Sequence, residues 1–179
     1  MMLRRKSVSL RLLRVVLVLC LSSGILAAAC SSEGRDPEKL AASDNEAIRG
    51  GYKIVSTEEL QGWLDEIDPR WLSDRESLLI VDTTPYVESY KRHHIPYAAH
   101  FEFPLEEMNQ LDDKTRAEFE KILGPDKHRK MVFYSESAKC GRSHNGAMWA
   151  VSLGYTHVYR YRQGIKGWME AGNKTETAR

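Results

Sequence analysis

Two short apolar runs, Leu78-Leu-Ile-Val81 and Met131-Val-Phe-Tyr134, constrain this chain more than any other feature. Uninterrupted apolar runs of this length are the mark of strands buried on both faces, as in a parallel sheet. Helical spacing separates them. Ser56-Thr-Glu-Glu59 has the form of a capping box, followed by Leu60, Trp63, Leu64 and Ile67 at helical intervals. Pro85 to His93 predicts a helix with proline near its first turn, and Ala98 to Phe103 a brief strand. Leu105 to Met108 and Lys114 to Leu123 read as helices, the second stopped by Gly124-Pro125. A helix with Ala147, Ala150, Val151 and Gly154 inward follows the second apolar run. A strand over His157 to Tyr161 and a helix over Ile165 to Ala171 close the chain. Such alternation implies an α/β domain with a mainly parallel sheet, whose active loops lie beyond the carboxyl ends of its strands.

The second run ends abruptly in Ser135-Glu-Ser-Ala-Lys-Cys-Gly-Arg-Ser143. Backbone N–H groups at a helix start, with the positive end of the dipole, favour a thiolate, a persulfide or an oxyanion. Cys140 therefore has a physical reason to be reactive; the alternative is a small residue filling a turn. Ser143 is expected to cap the helix. Arg142 either holds an anion or pairs with Glu136. Asp82 and Glu88 read as structural carboxylates. A phosphatase or arsenate reductase would need Arg six positions after its Cys, but Gly146 stands six after Cys140, and Glu136 six before Arg142. His93, His94 and His100 make no metal set, because adjacent His side chains diverge on a helix and no thiol or carboxylate completes them. No metal or cofactor is expected. Trp63, Trp149 and Trp168 fall at core spacing; Trp71 finds no role.

The amino end reads as a bacterial export signal over residues 1–29. Arg4, Arg5, Lys6, Arg11 and Arg14 precede the apolar stretch Val15 to Leu21, and small residues follow up to Cys30. The apolar part is too short for a confident membrane span. Leu26-Ala-Ala-Ala-Cys30 resembles a lipoprotein signal, with Ala27 where Leu is usual, so Cys30 is the expected lipidation site and the membrane an expected partner through that anchor. Removing the signal takes five of the 26 basic residues and none of the 25 acidic ones, which leaves −4. With no basic stripe interleaved with aromatics, nothing points to nucleic acid. Residues 30–51, polar and small with Asp36-Pro37 and Gly50-Gly51, read as a flexible tether. Cys20 leaves with the signal. If Cys30 is acylated, Cys140 has no internal disulfide partner.

Several motifs in order then carry a resemblance. Leu79-Ile-Val-Asp82 is followed by Glu88, Tyr90 and His94-Ile-Pro96, then by Leu153-Gly-Tyr155 with Val158, and by Gly164-Ile165 with Trp168. Together these resemble the rhodanese family from about Val55 to Gly172. The resemblance implies a three-layer domain over residues 52–175, its sheet flanked by helices, and transfer of sulfane sulfur through a cysteine persulfide. It also implies a cradle of loop N–H groups, placed on Ser135, Glu136, Ser137, Ala138, Lys139, Gly141 and Arg142, with Cys140 as nucleophile. The family's nucleophile normally follows the strand directly, and there this chain has Ser135. A serine hydroxyl ionises too reluctantly for the same work and cannot hold a persulfide. Other departures are Thr84 in place of Arg, and His93, Tyr97 and Gln163 in place of glycines, which matter wherever φ must be positive. Expected partners are a small sulfur-containing anion or a persulfide donor, with a protein partner as a further possibility. Three readings stay open: a sulfurtransferase of the cell envelope on the periplasmic or extracellular face, a rhodanese-fold binding module without catalysis, and a thiol that forms mixed disulfides.

Overall fold

A computed structural model describes residues 45–67, 70 and 77–178. Residues 1–29, read above as an export signal, together with Cys30 and Trp71, lie outside the described residues. Five strands form one sheet: β1 (Lys53–Val55), β2 (Leu78–Asp82), β3 (Ala99–His100), β4 (Lys130–Tyr134) and β5 (Val158–Tyr161). Their order is β1-β5-β4-β2-β3 and every pairing is parallel. The two apolar runs lie side by side at its centre, with Leu79 opposite Met131 and Asp82 opposite Tyr134.

Alternation along those strands builds two cores. Leu79, Val81, Met131 and Phe133 face one layer with Phe103, Phe119, Leu123, Ala147 and Ala150. Leu78, Ile80, Val132 and Tyr134 face the other with Leu60, Leu64, Ile165 and Trp168. Helices supply both layers. Residues 45–50 are helical (α1), followed by α2 (Thr57–Asp65), α3 (Asp113–Leu123), α4 (Arg142–Ser152) and α5 (Gly164–Glu170). The capping box on α2 closes as its sequence requires: Ser56 Oγ accepts from Glu59 N at 3.1 Å and Ser56 N donates to the Glu59 carboxylate at 2.9 Å. Asp112 caps α3, and Gly124, at φ 77, ends it.

Four expectations change. The expected tether over residues 30–51 is described only from residue 45, and there it is not a linker, because α1 packs on the domain with Ala47 buried in the first core. Residues 86–90 form a π-helical turn rather than part of an α-helix. Residues 105–108 are not helical: the side-chain amide of Asn145 donates to the carbonyls of Pro104 and Glu106 and accepts from Met108 N, taking the groups a helix would use. Among the glycine replacements, Tyr97 does adopt positive φ (66), whereas Gln163 sits at φ −62, and the required positive φ belongs to Gly164.

Candidate active-site loop

The loop of residues 135–141 leaves the carboxyl end of β4, the middle strand, and enters α4. Its two ends are held by different means. Ser135 and Glu136 give their carbonyls to Ile165 N and Lys166 N at 2.9 and 3.1 Å, which lays the loop across the start of α5. Gly164 makes that approach possible: a Cβ there would lie 2.4 Å from Ser135 O, and its φ of 68 is one that other residues adopt with strain. At the far end, a Cβ on Gly141 would lie 2.7 Å from Leu105 O, so the loop is pressed against the segment following β3.

Cys140 is buried, 8% exposed, yet belongs to neither apolar core among the described residues. It lines a cavity of about 210 Å³ with Thr84, Pro85, Glu88, Leu105 and Arg142. The wall is therefore drawn from the segments following β2, β3 and β4, as the carboxyl-end rule for parallel sheets anticipates. The first amides bonded within α4 are those of His144 and Asn145, both to Gly141 O, so the N–H groups of Arg142 and Ser143, two and three positions after Cys140, precede the ladder. Cys140 N itself donates to Ser137 O at 3.0 Å and closes a turn, which removes that amide from any anion cradle.

The remaining expected residues separate into three positions. Glu136 and Arg142 reach the cavity wall. Ala138 and Lys139 are exposed on the crest of the loop, with Ser137 half-buried beside them. Ser135 is turned away from the cavity, 1% exposed: its hydroxyl lies 3.1 Å from Ser143 Oγ and donates to Cys140 O at 3.4 Å. Among the described residues, no carboxylate or imidazole hydrogen-bonds Ser135 to act as a base.

Two other expectations are corrected. Arg142 does not pair with Glu136; it donates to Phe103 O and lies 3.8 Å from Glu102, while Glu136 pairs with Lys166 at 2.8 Å. Ser143 does not cap α4, whose N-cap is Gly141; its hydroxyl instead accepts from Arg160 Nε at 2.9 Å. Arg160 is the residue that sequence reasoning missed. It is 2% exposed in β5 and donates to Cys140 O from Nη2 at 3.0 Å. A signal was present: period-two alternation puts residue 160 on the same face as Val158, so a charge was bound for the interior. Two of the three histidines meet other needs. His94 stacks on Tyr90 at 4.2 Å, and His100 Nε2 contacts Thr84 O at 2.6 Å.

A family model described as "Rhodanese-like domain" matches residues 56–171. Among solved structures, a thiosulfate sulfurtransferase from Pseudomonas aeruginosa is 19% identical with a TM-score of 0.53, covering 79% of this chain and 23% of that one. A rhodanese-like domain from Anabaena sp. is 17% identical with a TM-score of 0.50, covering 70% and 79%. A 30 kDa polysulfide-sulfur transferase homodimer from Wolinella succinogenes is 15% identical with a TM-score of 0.50, covering 79% and 92%. At these identities the likeness concerns the fold. No curated protein sequence matches.

Proposed function

Since this chain belongs to the rhodanese-like domain family, we propose that it is a sulfurtransferase of the cell envelope whose working thiol is Cys140 rather than a residue at position 135. One observation carries the reading: Cys140 lines the cavity at the carboxyl end of the sheet, while the side chain at 135 is spent on a buried contact with Ser143. In the first half-reaction the Cys140 thiolate attacks the outer sulfur of a donor such as thiosulfate. The sulfur–sulfur bond of the donor breaks, sulfite leaves with its electron pair, and a Cys140 persulfide remains. In the second, an acceptor nucleophile takes the terminal sulfur and the thiolate returns. Amides of Arg142 and Ser143 at the start of α4 would stabilise both anions.

A second reading has its own support. Glu88 and Glu136 share the cavity wall with Arg142, whose guanidinium is already engaged by Phe103 O and Glu102. Among the described wall residues that leaves no cation dedicated to a small dianion, as a binding module or a protein-borne donor would allow. Intact mass after incubation with thiosulfate, and separately with polysulfide, decides between them. A gain of one sulfur on Cys140 that cyanide removes, lost in Cys140→Ala, is expected; no gain with either donor would leave the binding module. Ser135→Cys is expected to add no persulfide-forming thiol. Envelope placement rests on the segment ending at Cys30, and Cys30→Ser is expected to free the protein from membranes or block its processing.

A further inference from the structure

Arg160 is a full charge, 2% exposed, that the sulfur chemistry above does not use. Burying a guanidinium is unfavourable unless it is paired and its donors are satisfied. Here each arm is occupied. Nε donates to Ser143 Oγ at 2.9 Å and Nη2 to Cys140 O at 3.0 Å. Nη1 meets the Glu46 carboxylate at 2.7 Å and reaches Tyr52 OH at 3.4 Å. Two of these partners lie in the active loop or the first turn of α4. The counter-ion lies in α1, ahead of the first strand. His144 Nδ1 joins the same group, 2.7 Å from Tyr52 OH and 3.6 Å from Glu46.

We propose that Arg160, with Glu46 as counter-ion, is a positioning residue for Cys140. It fixes the thiol residue's carbonyl and sets the charge the thiol feels, so the segment entering the domain is part of the sulfur site. The inference rests on Cys140 being the working thiol. A neutral hydrogen-bond donor would hold the same carbonyl without a desolvation penalty; a permanent cation adds a field under the loop, and Glu46 sets how much of it remains. Among the described residues, the other charged side chains lining the cavity with Cys140 are Glu88 from the segment following β2, Glu136 from its own loop and Arg142 at the start of α4. These last two are tempered by Lys166 and Glu102.

The test is the pH dependence of Cys140 alkylation by iodoacetamide, a neutral reagent, in the full chain, followed on the peptide that contains Cys140. In Glu46→Gln the guanidinium loses its counter-charge but keeps an acceptor of the same shape. The alkylation midpoint is expected to move down in pH, with the rate at neutral pH rising roughly threefold or more. In Arg160→Gln it is expected to move up. Should that variant fail to fold, Glu46→Gln alone decides. An unmoved midpoint in Glu46→Gln, whatever happens to its melting temperature, overturns the proposal. The readout does not depend on sulfur transfer: a shifted midpoint without any persulfide would sink the sulfurtransferase and leave the positioning role standing.

Discussion

Asp82 in β2 and Arg160 in β5 are both carried into the interior at the carboxyl end of the sheet, but their charges are handled in opposite ways. Asp82 is fully buried, and its well-formed side-chain hydrogen bonds come from Thr84, two residues along the chain. One carboxylate oxygen accepts from Thr84 N at 2.8 Å and Thr84 Oγ1 at 2.6 Å, and the other has no hydrogen-bond partner of good geometry. No cation pairs with it among the described residues. Burial pushes its carboxyl above the ordinary 3.8, opposed by Thr84, the nearby Tyr134 hydroxyl and His100. Arg160 is answered by four partners from three other segments. A carboxylate can shed its charge by taking a proton, so Asp82 can be left half-satisfied. A guanidinium has no such escape, and the fold must bring it a counter-ion from 114 positions away.

The largest expected effect comes from breaking the second centre. Arg160→Met leaves the Glu46 carboxylate and Tyr52 without their cation, and urea unfolding should show a loss of about 3–5 kcal/mol. A loss no greater than that of a surface substitution would mean that Arg160 is not held as described. Thr84→Val strikes the first centre by removing one of the two donors to Asp82. Its expected loss is about 1–3 kcal/mol at neutral pH, shrinking in acid as the carboxyl takes its proton.

Asp82→Asn should act in the other direction. A folded carboxyl held above its unfolded value binds its proton more tightly in the native state. Stability from this group is therefore full below the unfolded value and falls as pH rises towards the folded one. Asn keeps the acceptor for Thr84 and has no charge to bury. The variant should gain about 1 kcal/mol at neutral pH and lose that decline in a pH series of urea midpoints. A destabilised Asn variant would show that the charged form is needed. The smallest effect belongs to His144, whose imidazole is held below 6.5 by burial, assisted by Arg160 and opposed by Glu46. Here the unfolded chain binds the extra proton, so stability drops as pH falls through and below 6.5. His144→Gln should flatten that limb while shifting the neutral plateau by less than about 1 kcal/mol.

The sheet was legible because its signals are local. Apolar runs, a capping box and a Gly-Pro stop each act within a few residues, and the strands and helices formed close to where those signals put them. The place of Cys140 at the cavity, though not its role, was also legible, since a loop after a buried strand of a parallel sheet opens at the carboxyl end. What was not legible depends on distant groups meeting. Ser143 has the right chemistry for a cap, but Arg160, far along the chain, claims its hydroxyl. Arg142 is close in sequence to Glu136, yet Lys166 reaches that carboxylate instead. The 105–108 segment has helical composition, and its backbone groups are taken by one side chain, Asn145, from another element. In each case a long-range partner outbid a local preference.

The docking of α1 also gives the domain a mechanical property. On the reading that Cys30 carries lipid, the sixteen positions from Cys30 to Glu46 can extend no further than about 55 Å, which would set a leash of that length between the membrane surface and α1. Tension along that leash enters the domain at α1, and among the described ion pairs the first it meets is Glu46 with Arg160. The same guanidinium grips the carbonyl of Cys140. On that reading, a pull on the anchor would be delivered first to the ion pair whose guanidinium holds the thiol residue.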